Sequence, residues 1–268
     1  MIIGGQKCGT TSLAAQLGAH PGVSFCREKE PHWFSTVDAW EERLPEYHAL
    51  YDVRDGALYG EASTSYTFLP EYPDVHERLH RYNPHLKLIY IVRHPVKRVI
   101  SQCAHDMIRG RIKGAYEEHV LRDPMYVNRT RYAHQIQAYL DCFPREQVRI
   151  LLFEEYVKDP RGALRTLGEF LGLAPEPFET IDVAPRNISA KTGYLKNFPG
   201  AATANRVLSK APGPIRRAGS KLLLNRIDEK PEFRLETRRA IWNMLEADVA
   251  ALAKIMDRPL DLWQPPHE

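Results

Sequence analysis

The feature that most constrains the fold is the run at 86–92, Leu-Lys-Leu-Ile-Tyr-Ile-Val, closed by Arg93-His94-Pro95. It is too short for an ordinary helix, nearly continuous in apolar side chains, and stopped by a proline. A run of this kind is a strand buried on both faces, and such strands belong to parallel sheets covered by helices on either side. Further short apolar segments predict strands at 1–4, Val23–Phe25, Leu58–Gly60 and 148–153. Between them, helical spacing predicts helices over 11–19, 96–109, 132–142, Pro160–Leu171 and 232–256; in the last, Ile241, Leu245, Val249 and Leu252 recur on one face. The alternation predicts an α/β fold of three layers, a central parallel sheet flanked by helices. No linker-like stretch divides the 268 residues, and 43% hydrophobic content suffices for one sizeable core, so residues 1–268 read as a single domain.

Residues 185–226 differ from the rest. They are rich in Pro, Gly, Asn and basic side chains, among them Lys191, Lys196, Arg206, Arg216 and Arg217, with one predicted helix at 215–224. Two readings stand: a solvated surface loop, or a loop and helix forming a cover over an anionic ligand and the acceptor site.

Charge and composition exclude several classes. A net charge of +3 does not indicate a nucleic-acid partner, though it leaves room for a local basic pocket. No run approaches the roughly 20 apolar residues of a membrane span. Met1-Ile2-Ile3-Gly4-Gly5 lacks the basic-then-apolar order of a secretory signal. Cys8, Cys26, Cys103 and Cys142 form no C-x-x-C pair and no metal-ligand spacing, so reduced thiols, a cytoplasmic location and no metal are expected.

Gly4-Gly5-Gln6-Lys7-Cys8-Gly9-Thr10-Thr11-Ser12 lies between the first strand and the first helix. Glycines admit an anion close to the backbone, and a helix start offers unpaired N–H groups and a positive dipole end. Lys7 adds a charge, and the three hydroxyls add donors. The loop resembles a Walker A motif, a P-loop, but Thr10 stands where the Walker lysine belongs and the lysine has moved inside the loop, to position 7. A lysine there suits a shorter group than a triphosphate. The plainer alternative is a tight strand-to-helix turn. The second motif, Arg93-His94-Pro95, ends the strand at 86–92 and opens a helix carrying Arg98 and Ser101. In a parallel sheet the carboxyl ends of strands line the ligand crevice, and a guanidinium can hold a phosphate by two bonds. Two anion-binding elements on two strands imply a ligand with two anionic groups.

Together these residues resemble the sulfotransferases that use 3′-phosphoadenosine-5′-phosphosulfate (PAPS), in particular the Golgi heparan-sulfate N- and 3-O-sulfotransferases and their bacterial relatives. IIGGQKCGTTSL is similar to their 5′-phosphosulfate loop, and IYIVRHPVKRVIS to their 3′-phosphate motif, with Arg93 and Ser101 at the two binding positions. Glu30-Pro31-His32-Trp33-Phe34 resembles the segment K-E-P-H-F-F, whose glutamate is the catalytic base, and the stretch 257–263 resembles the family's ending. There are departures. Ala62 occupies the place of a lysine in E-K-T-P-x-Y, and Ser35 stands where the family carries an acid. Both changes fall on the acceptor side. Lys191-Thr192-Gly193-Tyr194 only loosely resembles a late K-G-F loop over the nucleotide.

The resemblance implies a P-loop-type fold and sulfuryl transfer from PAPS to an acceptor hydroxyl or amine of a small molecule or glycan, with adenosine 3′,5′-bisphosphate released. Lys7, Cys8, Gly9, Thr10, Thr11 and Ser12 would face the 5′-phosphosulfate. Arg93 and Ser101 would take the 3′-phosphate, and Lys191, Gly193 and Tyr194 would cover the nucleotide. Glu30 would be the general base, with Pro31 restricting it to an extended backbone; His32 is the rival base or orients Glu30. Without the resemblance, Glu30 reads as a surface carboxylate before a turn. His105 and Asp106 either line the acceptor pocket or form a solvated helix face. The other functions considered are a P-loop small-molecule kinase and a non-catalytic nucleotide or polyanion binder.

Overall fold

The computed structural model describes residues 1–112, 114–184 and 231–267, together with the backbone of two short strands within 185–230. In chain order the first elements are β1 (Ile2–Gly4), α1 (Thr10–Gly18), β2 (Val23–Phe25), α2 (Trp33–Thr36), α3 (Leu44–His48), β3 (Leu58–Gly60), α4 (Val75–Tyr82), β4 (Leu88–Val92) and α5 (Pro95–Ile108). They are followed by α6 (Tyr116–Arg122), α7 (Pro124–Asn128), α8 (Tyr132–Leu140), β5 (Val148–Leu152), α9 (Phe153–Lys158), α10 (Pro160–Leu171), β6 (Gly193–Leu195), β7 (Leu224–Arg226), α11 (Leu235–Asn243) and α12 (Glu246–Ile255).

β4 is the centre of the sheet because every one of its residues is apolar or aromatic and buried. It pairs in parallel with β1 on one side and β5 on the other, Ile89 opposite Ile2 and Tyr90 opposite Ile150. β2 and β3 form a second parallel pair. A bridge from Ile2 to Ala62 joins the two: the Ile2 amide donates to the Glu61 carbonyl at 2.8 Å and the Ser63 amide to the Ile2 carbonyl at 3.2 Å. The resulting order is β2-β3-β1-β4-β5, all parallel. The connection after β1 leads to one side of the sheet and the connection after β4 to the other, so a crevice opens between the carboxyl ends of those two strands. Both anion motifs leave the sheet there.

The boundaries shift where local chemistry decides them. β4 begins at Leu88 rather than 86, and β5 stops at Leu152 because Phe153 opens α9. α5 accepts Pro95 in its first turn, where a missing N–H costs nothing. The helix predicted over 232–256 is two helices. Leu245 leaves helical geometry at φ −121°, and its side chain is fully buried, so the break lets both halves lay an apolar face on a curved core. Of the unpredicted helices, α2, α3, α6, α7 and α9 are too short to show a period. Residues 185–226 lie outside the described residues except for β6 and β7, which pair antiparallel with Gly193 opposite Arg226. Leu224, the last residue of the helix predicted there, is the first of β7, and β6 lies against α5. Among the described residues no helix is long and apolar enough to cross a membrane.

Candidate functional site

The loop after β1 is shaped by two left-handed residues, Lys7 at φ +67° and Gly9 at +94°. Gly9 has no side-chain freedom to spare: a Cβ would come within 2.9 Å of the Phe153 ring. As N-cap it supplies the carbonyl for Ser12 and Leu13 N–H (3.0 and 3.2 Å) and leaves α1 with no side-chain cap. The amides of Gly9, Thr10 and Thr11 precede the first intrahelical bond, and the helix dipole adds to their pull on an anion. Thr10 and Ser12 are buried and Thr11 half-buried. Cys8 does not join this donor set. Its amide is bonded to the Gly5 carbonyl at 3.2 Å, and its thiol is sealed in the core 3.8 Å from the Tyr132 hydroxyl, where burial pushes it up to about 11. What the structure gives Cys8 is a packing place in the core.

Cations surround the loop. Burial brings Lys7 down to about 8, and the nearby charges of Arg98, Arg93 and Arg109 push the same way, with Asp106 opposing. Arg93 reaches back from the end of β4 to donate to the Lys7 carbonyl at 3.3 Å, and its guanidinium lies over Phe153 at 4.7 Å. Its Nε is buried and has no partner among the described residues. Arg98, which is fully buried, clamps the loop from α5: it donates to the Gln6 carbonyl (3.2 Å), Gln6 Oε1 (3.0 Å), the Tyr126 carbonyl (3.2 Å) and Thr130 Oγ1 (3.1 Å). Arg129 bonds Gln6 Oε1 as well, at 3.3 Å. In the sequence Arg98 stands beside Ser101 without an evident task; a charged residue three positions before Ser101 is the one signal it offers. Arg129 and Phe153 carried none.

Ser101 is buried on α5, one turn beyond Arg98. His105 is half-buried, and burial, with Lys7 and Arg109 nearby, depresses it to about 4. Asp106 is not on a solvated face: it is buried and accepts from Gln102 Nε2 (2.8 Å) and the Tyr126 hydroxyl (2.9 Å). The 257–263 stretch braces the second motif, with His94 N–H donating to Glu154 Oε1 at 3.0 Å and Trp263 Nε1 donating to Glu154 Oε2 at 3.1 Å.

Glu30 does not take the extended backbone expected before a proline. Its φ is +53° and that of His32 is +54°. Tertiary bonds hold this turn against its local cost: the Thr64 hydroxyl donates to Glu30 Oε2 (3.4 Å), and the His32 amide donates to Ser63 Oγ (3.0 Å). The turn brings Glu30 Oε2 within 3.6 Å of His32 Nε2, both side chains about one-third exposed. Burial lowers the His32 pKa, although Glu30 and Glu28 pull it upward. Thr64 opens the turn Thr64–Thr67, which packs on β1 immediately before the Lys7 loop. Glu30, His32 and Lys7 are thereby tied to one framework. Ser63, Thr64 and Ser65 were absent from the predicted site. Lys191 lies outside the described residues; of Gly193 and Tyr194 only the backbone, in β6, is described. A separate cavity of about 650 Å³, lined by Leu17, Phe25, Tyr51, Leu58 and Tyr82, opens at the amino ends of the strands and includes none of the predicted site residues.

Comparison with known proteins places the chain among sulfotransferases. The family model described as "Sulfotransferase domain" matches residues 1–198. Human heparan sulfate glucosamine 3-O-sulfotransferase 6 is 30% identical over 182 residues, covering 65% of this chain and 52% of its own length, so the chain spans about half the length of that curated relative. Among solved structures, a sulfotransferase from Alicyclobacillus acidocaldarius superposes with a TM-score of 0.70 at 26% identity, covering 98% of this chain and 96% of the other. Mouse sulfotransferase SULT7A1, solved in complex with PAP, shares the fold with a TM-score of 0.50 at 13% identity, covering 97% and 84%.

Proposed function

We propose, from the premise that this chain belongs to the sulfotransferase family, that it transfers a sulfuryl group from PAPS to an acceptor hydroxyl and leaves adenosine 3′,5′-bisphosphate. The observation that carries the reading is the meeting of an uncapped helix start, a lysine depressed to about 8, and Arg93 with an unpartnered buried Nε, all between the carboxyl ends of β1 and β4. Cations held this close together in a desolvated place repel one another, and an anionic ligand with two phosphate-type groups relieves that repulsion.

In this reading the amides of Gly9, Thr10 and Thr11 and the hydroxyls of Thr10, Thr11 and Ser12 hold the 5′ end of the nucleotide. Arg93 and Ser101 hold the 3′-phosphate. PAPS supplies the activated sulfuryl group and a stable leaving phosphate. Lys7 offers its ammonium where negative charge grows as the bond to that phosphate lengthens, the point at which a cation accelerates rather than merely binds. Glu30 accepts the proton of the acceptor hydroxyl. The acceptor reading is a glycan or small-molecule hydroxyl, supported by the glycan named for the human relative. A place for Gly193 and Tyr194 beside the nucleotide is supported by the contact of β6 with α5, the helix of Ser101.

Calorimetry tests the nucleotide assignment. Adenosine 3′,5′-bisphosphate should bind at least about ten-fold more tightly than AMP, since a lost charged hydrogen bond costs roughly 1.5–3 kcal/mol. Equal affinities would overturn the PAPS reading.

A further inference from the structure

The imidazole of His32 faces two different neighbourhoods. Nε2 looks toward Glu30 Oε2 at 3.6 Å. Nδ1 lies 2.6 Å from Ser65 Oγ, which in turn lies 2.6 Å from Ser35 Oγ. Each hydroxyl has one proton to give, so the two serines run in one of two directions: toward the ring or away from it.

Running away from the ring, Ser35 would spend its proton on the His32 carbonyl oxygen, 3.0 Å away. That oxygen already receives the Ser35 amide (3.0 Å), the Thr36 amide (2.9 Å) and the Thr36 hydroxyl (3.0 Å), more donors than its two lone pairs serve. The same direction would make Nδ1 the protonated nitrogen and turn a bare Nε2 lone pair toward the Glu30 carboxylate, two acceptors facing each other. Running toward the ring, Ser35 donates to Ser65, Ser65 donates to Nδ1, and Nε2–H points at Glu30. Both hydroxyl protons then have an acceptor, and the ring N–H faces the Glu30 carboxylate at 3.6 Å, beyond hydrogen-bond length but attractive in sign. Burial lowers the His32 pKa and so disfavours a second proton on Nδ1, against the upward pull of Glu30 and Glu28.

We propose that Ser35 and Ser65 are positioning residues that act through His32: they fix its ring as the Nε2–H tautomer, whose N–H orients the Glu30 carboxylate as the base. This rests on the reading of Glu30 as base. When the acceptor O–H bond breaks, its proton goes to the Glu30 carboxylate and its electron pair forms the new O–S bond. The S–O bond to the phosphate of the donor, a phosphosulfate nucleotide, breaks with its pair passing to that phosphate. His32 gives up no proton and stays neutral throughout. Glu28 is the other charged group that bears on the ring, and the neutral Thr64 hydroxyl shares Glu30 Oε2 with it at 3.4 Å.

Nitrogen-15 labelling of histidine reads the tautomer directly, with the His32 signal identified by its loss in His32→Gln. The expected spectrum has Nε2 protonated and Nδ1 bare. A protonated Nδ1 in the unaltered protein overturns the proposal, whatever the variants do. Ser65→Ala should let the two tautomers mix and lower kcat roughly ten-fold, with affinity for adenosine 3′,5′-bisphosphate unchanged; Ser65→Thr, which keeps the hydroxyl, should restore both tautomer and kcat. A Ser65→Ala protein with unaltered tautomer and turnover also overturns it. The spectrum needs no sulfuryl donor, so a wrong tautomer defeats this proposal alone, whereas equal binding of AMP and the bisphosphate defeats the PAPS reading and leaves the tautomer as measured.

Discussion

Lys7 is asked to be charged in a place that resists charge. Its folded pKa of about 8 lies below the 10.5 of an unperturbed lysine, with burial the first cause and Arg98 the second. Between those values the unfolded chain holds a proton that the folded one has released, so this group makes the ligand-free protein more stable as pH rises through that window. An anion reverses the preference by favouring the ammonium form. Binding of adenosine 3′,5′-bisphosphate at about pH 8.5 should therefore take up a large part of a proton, at most roughly three-quarters for a group at about 8, and affinity should fall as pH climbs above 8. Calorimetry in two buffers of different ionisation enthalpy measures the uptake, and Lys7→Met should abolish it. Glu30 has the opposite assignment, to be basic without gripping the nucleotide. Glu30→Gln keeps the size and the Thr64 contact while removing the proton acceptor, and turnover should drop roughly 10²–10⁴-fold with bisphosphate affinity unchanged. Retained turnover would move the base to His32, because His105, held near 4, sits beside Lys7 and Arg109 and resists any proton.

The loop between β1 and α1 and the start of α9 depend on each other. Gly9 at φ +94° can approach the Phe153 ring only because it has no Cβ, and the same ring carries the Arg93 guanidinium at 4.7 Å. Gly9→Ala combines a left-handed backbone penalty with a 2.9 Å contact against that ring. The variant should lose roughly 1–3 kcal/mol in urea unfolding. Since the displaced ring supports Arg93, bisphosphate binding should weaken beyond what the lost stability explains. Arg98 does comparable work from α5: its bonds to both oxygens of Gln6 fix the loop to that helix.

At the scale of the whole molecule, the nucleotide would join elements far apart in sequence: the start of α1, the end of β4 and the middle of α5. A ligand that binds only the assembled state stabilises it by mass action, about 2.7 kcal/mol at a hundred-fold excess over Kd. For a chain of this size, that corresponds to a rise of roughly 5–10 °C in Tm. Thermal unfolding with adenosine 3′,5′-bisphosphate should show such a rise, and AMP at the same concentration a smaller one.

Much of this was legible from the residues because it follows from local periodicity and turn chemistry. The apolar run within 86–92 reads as a doubly buried strand, which β4 forms from Leu88, and the glycines and lysine after the first strand read as a tight lead into a helix; the anion motifs were therefore readable with their elements. What was not legible depends on groups distant in sequence. Nothing around Glu30 signals that Thr64 would meet its carboxylate, and the proline after it argued for the wrong backbone. Cys8 sits in the middle of a phosphate-type loop, yet core packing turns its thiol away from the crevice. Nor could the run of hydroxyls at 63–65 declare itself, because serines and threonines fit many places in a fold and acquire a task only from what packs against them. Short-range sterics and hydrophobic pattern determined the sheet and its two anion loops; only the tertiary structure, by deciding which polar groups are buried together and which proton has where to go, decided how the base is held.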